Sequence, residues 1–260
     1  MSEFLNITLN QAFYLTEKVS LFGFLILCIE DIINYKDFKS NGIYSWKVLS
    51  ARKNKNFSLI LNNWIPIQIL LLVTCLLTIF DFIEFKAISF FVITLYFIFF
   101  QKRNLYGFDG SEQMLQVIFL LLFFKSLSTN ATFTLIIYYA FITQIFVSYF
   151  FSGYNKFKGK LWRNGTALNK ILNTESFGNK KYSLILSKNL KLSKTLTYGT
   201  IIYQMIFPII MIIPNYEIRL TYLGFGILFH TGIGLSMGLN IFIYSFLAIY
   251  PILLYFIQNG

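Results

Sequence analysis

Apolar residues in this 260-residue chain gather in long runs from which charge is missing. A helix that crosses a membrane needs about 20 mostly apolar residues, because each adds about 1.5 Å across a hydrocarbon core of about 30 Å. The runs therefore locate spans. Residues 56–80 carry no charge and contain WIPIQILLLVTCLLTIF. AISFFVITLYFIFFQ follows between Lys86 and Lys102, whose stems can snorkel to the interface. Residues 126–155 hold FTLIIYYAFITQIFVSYFF, and residues 195–216 hold another run, with Pro208 predicting a kink. Residues 220–260 are free of charge and long enough for two spans, with GLSMGLN around Gly234 and Gly238 as the turn. Two further runs are interrupted or bounded by charge: residues 12–29, which include Glu17 and Lys18, and MLQVIFLLLFF between Glu112 and Lys125. The pattern predicts an all-α, polytopic membrane protein of about seven or eight transmembrane helices, forming one domain over residues 1–260.

Two polar connections, about 35–63 and 153–194, hold sixteen of the 22 lysines and arginines. Leu168, Ile171, Leu172, Leu184 and Leu186 fall at helical spacing in the second, which predicts interfacial helices lying on the membrane surface. Alternating the spans puts both basic connections and Lys102/Arg103 on one side, with Asp81/Glu84 and Glu217/Arg219 on the other. The positive-inside rule makes the basic side cytoplasmic.

Composition sharpens this reading. Apolar residues make up 56% of the chain and charged ones 13%, about half of what a soluble domain uses to cover its surface, which excludes an ordinary globular or disordered protein. The net charge of +11 then points to the phospholipid bilayer as partner and gives no support to nucleic acid. Cys28 and Cys75 sit far apart in apolar runs, so neither a disulfide framework nor a metal site is expected. The first cation is Lys18, so the amino terminus does not read as a cleavable signal peptide.

Nucleotide, zinc-protease and serine-hydrolase signatures are absent from the sequence, which leaves polar groups in or beside the membrane as candidates for chemistry. His230, the one histidine, lies in GILFHTGIGLSMGL; an imidazole there can donate and accept protons, or simply bond neighbouring helices. Lys156 is the first cation after a 30-residue uncharged stretch, where desolvation would fit it to act as a base. The alternative is that Lys156, Lys158, Lys160 and Arg163 bind phosphate headgroups with Trp162 as interface anchor. In RNLYGFDGSEQML, Asn104, Asp109 and Glu112 fall in a turn, and Asp109 or Ser111 is placed to cap the following helix. Glu30 and Asp31 form an acidic pair at the end of the first run.

RNLYGFDGSEQML, SGYNKFKGKLWRNGTAL after an aromatic span, and HTGIGLSMGLNIFIYSFLAIYPIL together resemble the horizontally transferred transmembrane domain family. That family includes vitamin K-dependent gamma-glutamyl carboxylase and small bacterial membrane proteins required to make sporulation-delaying-type peptide toxins. The central pattern falls here on Ser152, Gly153, Lys156, Trp162, Gly165 and Ala167. The resemblance implies that Lys156 is the base acting on a vitamin K-like hydroquinone and that His230 belongs to the same centre, with Asn104, Asp109 and Trp162 in support. It departs where the carboxylase has an Asn-His pair, since Leu105 follows Asn104. It also implies an extracytoplasmic Lys156, against the charge rule.

The expectation is a protein of the bacterial cytoplasmic (inner) membrane that matures or exports a secreted antimicrobial peptide through a carboxylase-like, quinone-linked site. The peptide or its precursor and a small accessory protein of the same system are the expected partners. Two rivals stand beside it. One is a non-enzymatic immunity or transport protein that binds an apolar peptide along faces such as Tyr138, Tyr139 and Phe141. The other is a quinone-dependent redox enzyme or carboxylase acting on another substrate.

Overall fold

The structure is a computed structural model that describes residues 6–38, 64–82, 84, 86–103, 109–174 and 178–259. Most of the first basic connection, and Asn104, lie outside the described residues. Every regular element among the described residues is helical: α1 (Leu9–Ile33), a short 3-10 turn (Tyr35–Phe38), α2 (Trp64–Ile79), α3 (Lys86–Arg103), α4 (Gly110–Ser126), α5 (Ala131–Lys158), α6 (Lys160–Arg163), α7 (Ala167–Leu172), α8 (Lys180–Lys188), α9 (Leu190–Ile212), α10 (Tyr216–Met237), α11 (Asn240–Leu247) and α12 (Tyr250–Asn259). Among the described residues five stretches are long and apolar enough to cross a membrane: α1, α5, α9, α10 and the run Asn240–Asn259. The expected seven or eight therefore exceed what length and composition support.

The difference lies in particular segments. The run WIPIQILLLVTCLLTI forms a helix of 16 residues, short of the roughly 20 a full crossing needs. The charge-interrupted first run, by contrast, forms a 25-residue helix. Its charges are neutralised by partners more than sixty positions away, which no local window can see.

Several helix starts follow directly from the sequence. Asp109 caps α4: its Oδ1 accepts from the Ser111 and Glu112 N–H groups at 2.8 and 3.0 Å, while Glu112 Oε2 accepts from the Asp109 N–H. This capping box satisfies donors that the first helical turn leaves open. Asn189 and Asn215 cap α9 and α10 in the same manner, accepting from Leu192 and Ile218 N–H groups at 3.0 Å each. At the far end of α10, Gly238 takes the left-handed conformation, φ 71°, and closes the helix where the GLSMGLN turn was expected. The break before α12 was not expected. Pro251 has no N–H to give the Leu247 carbonyl, and the helix divides at Ala248–Ile249. Pro208 sits inside α9, where it likewise leaves the Gln204 carbonyl without its helical donor.

The described residues form two compact units. The amino-terminal unit comprises Tyr14–Ile137 and Tyr244–Ala248. Its core is aromatic: Phe24 lies 5.4–5.6 Å from the rings of Tyr96, Phe97 and Phe119, and Trp64 stacks on Phe100. Four charges tie its helix ends together. Lys86 pairs with Glu17 and Asp81 at 2.6 Å each, and Lys18 with Asp81 at 2.8 Å. Lys18 also donates to the Ile79 carbonyl at the end of α2. Asp81 stands in the left-handed position that usually favours glycine, φ 58°, with the Phe82 and Asp81 N–H groups closing back on Leu77 and Thr78. Two lysine contacts offset the cost of a side chain there. Cys28 and Cys75 are both fully buried, and the Cys75 thiol donates to the Leu21 carbonyl at 3.1 Å.

The carboxyl-terminal unit comprises Tyr138–Ile243, Ile249–Gly260 and the described residues of Met1–Phe13. The second basic connection is largely helical in α6, α7 and α8, as its spacing predicts. Leu172 and Leu186 turn inward and Leu184 outward. The Gly165 carbonyl in the turn after α6 accepts from Ser193 Oγ at 3.0 Å, docking the connection on the first turns of α9.

Candidate functional site

The buried face of α10 is set by helical spacing: Arg219, Leu223, Gly226, His230 and Gly234 fall three or four apart and all point inward. His230 Nε2 lies 2.6 Å from the Tyr149 hydroxyl of α5, and both side chains are almost wholly buried. The Tyr250 hydroxyl is 3.3 Å from that of Tyr149. Gly226 explains how the hydroxyls converge. A Cβ at this position would lie 2.0 Å from the Tyr250 hydroxyl and 2.5 Å from that of Tyr203, so only glycine leaves them room. Phe207 closes the far side by stacking on the Tyr149 ring at 3.9 Å.

Lys156 stands two turns after Tyr149 on the same face of α5. Its ammonium donates to Ser152 Oγ at 2.7 Å and lies 5.4 Å from the centre of the Trp162 ring, a cation–π contact. Gly153, one turn before Lys156, lets α9 approach: a Cβ there would meet Met205 at 2.7 Å and Gln204 at 3.1 Å. Gln204 is buried, and its Oε1 has no hydrogen-bond partner among the described residues.

Of the residues singled out in the sequence, Lys156, Trp162 and His230 belong to one unit, with Lys156 against Trp162 and His230 against Tyr149. Asp109 belongs to the other unit and works as the cap of α4. Asn104 lies outside the described residues. No group of three or more His, Cys, Asp or Glu side chains that could hold a metal is found among the described residues. Tyr149, Tyr203, Tyr250 and Gln204 were missed. Only Tyr149 carried a signal, its spacing of seven from Lys156, which puts both on one helical face. The aromatic face proposed for a peptide binder divides: Tyr138 and Phe141 are buried, whereas Tyr139 faces outward.

The arrangement is a chain of groups able to hold or pass a proton, enclosed by apolar helices. A hydroxyl, an imidazole and an amine in that setting can take a proton from a weakly acidic group that enters with little water. The class of protein is thus one that is all-helical among the described residues, with five helices there long and apolar enough to cross a membrane and a polar centre inside one unit. Comparison with known proteins found no matching family model, no matching curated protein and no matching solved structure.

Proposed function

We propose that the protein is a multi-pass protein of the bacterial cytoplasmic membrane, of the horizontally transferred transmembrane type, that uses its Lys156–His230 centre in maturing or exporting a secreted antimicrobial peptide. The observation that carries this reading is the buried Tyr149–His230 contact at 2.6 Å, with Lys156 two turns further along the same face of α5. Burying such groups among apolar helices is costly unless they are used or fully partnered. Eight passes follow if α2, α3 and α4 cross as well as the five longer stretches. The second basic connection then lies on the cytoplasmic surface by the positive-inside rule, with α6, α7 and α8 along the headgroups.

A quinone or hydroquinone fits the groups present in this unit: Gln204 Oε1 is a buried acceptor without a partner among the described residues, and the hydroxyls of Tyr149, Tyr203 and Tyr250 converge near Gly226. Bound there, it would supply two-electron redox chemistry that no side chain of this chain offers. Lys156 takes up a proton at Nζ, Ser152 and Trp162 fix its position, and the Tyr149–His230 pair keeps a second exchangeable proton in the dry interior. The stacked Phe207 and Tyr149 rings keep water out.

Replacing Lys156 by Ala is expected to abolish output of the mature peptide while the protein still accumulates folded in membranes. Lys156→Arg should fail as well, since arginine keeps the charge but does not give up its proton near neutral pH. Normal peptide output from both variants would remove the catalytic role and favour simple peptide binding. Mass spectrometry of the purified protein should find co-purified quinone in the wild type, reduced in Gln204→Leu. A cysteine at position 158 that labels from outside intact cells would reverse the proposed orientation.

A further inference from the structure

We infer that Arg219 is the centre of a phosphate-binding site that takes the headgroup of an anionic phospholipid. Arg219 is 6% exposed, yet its guanidinium makes no hydrogen bond or ion pair among the described residues, and its Nε is wholly buried without a partner. An arginine keeps its charge under all ordinary conditions, and five donors in a rigid fork ask for an oxyanion with at least two oxygens. A buried cation without an anion costs several kcal/mol, so an anion from outside the chain has a strong reason to bind.

The location favours a lipid source. Arg219 lies in the first turns of α10, about 5 Å along the axis from its start, which is headgroup depth for a helix that crosses a membrane. Its side chain leans toward the amino-terminal end, where the first N–H groups and the helix dipole add positive potential. Ile218 and Phe225, seven apart on the outward face of α10, are 46% and 57% exposed and give acyl chains an apolar wall. Glu217 is exposed on a different face of the helix and does not neutralise Arg219. The inference depends on α10 lying in a membrane and not on the chemistry proposed for Lys156 and His230.

Native mass spectrometry of the full chain, purified in detergent and stripped of lipid, tests it. Dioleoylphosphatidylglycerol should be retained at one site, and dioleoylglycerol, which has the same chains without phosphate, should not. Arg219→Gln should weaken retention about tenfold or more, the loss expected for a charge-assisted contact, with Arg219→Lys between the two. Equal retention of dioleoylglycerol would overturn the phosphate site, and this comparison needs only the wild type should Arg219→Gln fail to fold. Thermal stabilisation by inorganic phosphate equal to that by the lipid would overturn the lipid source. Undiminished retention in a folded Arg219→Gln variant would overturn the assignment to Arg219.

Discussion

The two units hold charge in opposite ways. In the amino-terminal unit Glu17, Lys18, Asp81 and Lys86 cancel one another in a closed group of short contacts. In the carboxyl-terminal unit Lys156 meets a hydroxyl and an indole, and Arg219 meets no acid among the described residues. Cancelled charges are part of the scaffold, where each member is needed to neutralise another. Uncancelled ones are poised for something the chain does not itself contain. The net charge of +11 therefore has meaning inside the fold as well as on its surface.

This contrast can be broken most sharply by removing one member from each unit. Glu17→Ala leaves the partly buried Lys18 and Lys86 sharing the single carboxylate of Asp81 and should cost about 3 kcal/mol, whereas Arg219→Met in lipid-stripped detergent should be neutral or stabilising, because an apolar isostere relieves an uncompensated charge. Thermal unfolding of both variants checks this, and equal losses would erase the distinction. Gly226→Ala comes next. Its methyl group would drive the Tyr250 and Tyr203 hydroxyls away, with an expected loss of about 2 kcal/mol and of peptide output together. Tyr149→Phe is milder. It removes the hydroxyl bonded to His230 and should lower stability by about 1 kcal/mol, while changing activity far more if the centre moves protons.

The smallest effect is a pH limb. Hydrogen bonds from Lys18 and then Lys86 hold the Asp81 carboxyl below its usual range. Its contribution is therefore fully present above the ordinary carboxylate pKa and is lost as pH falls through the lowered folded value. Wild type should lose melting temperature over that acid window, and Asp81→Asn should lose less; parallel curves would show that the network does not depend on the charge of Asp81.

Much of the helical layout was legible because charge-free runs are a local property. The turn at Gly238 was legible for the same reason, since a glycine-rich segment inside an uncharged stretch has few other uses. What depended on distant partners was not. The Glu17 and Lys18 pair argued against a span because Asp81 and Lys86 were invisible to any local reading. Lys156 and His230 stood out as an isolated cation and the sole histidine, but the tyrosines that gather at His230 could not be picked from 17 without knowing which helix faces meet. Arg219 was read only as a charge at one end of a span, since sequence shows that a residue is near a helix end but not which way its face points.

The complete burial of Cys28 and Cys75 has a kinetic consequence. A maleimide can reach either thiol only after the surrounding helices come apart, and the Cys75 bond to the Leu21 carbonyl must break for its thiol to be released. The native thiols are thus a slow clock for opening of the amino-terminal unit, and a cysteine placed at 158 reads the membrane surface on a fast one, in the same tube and with the same reagent.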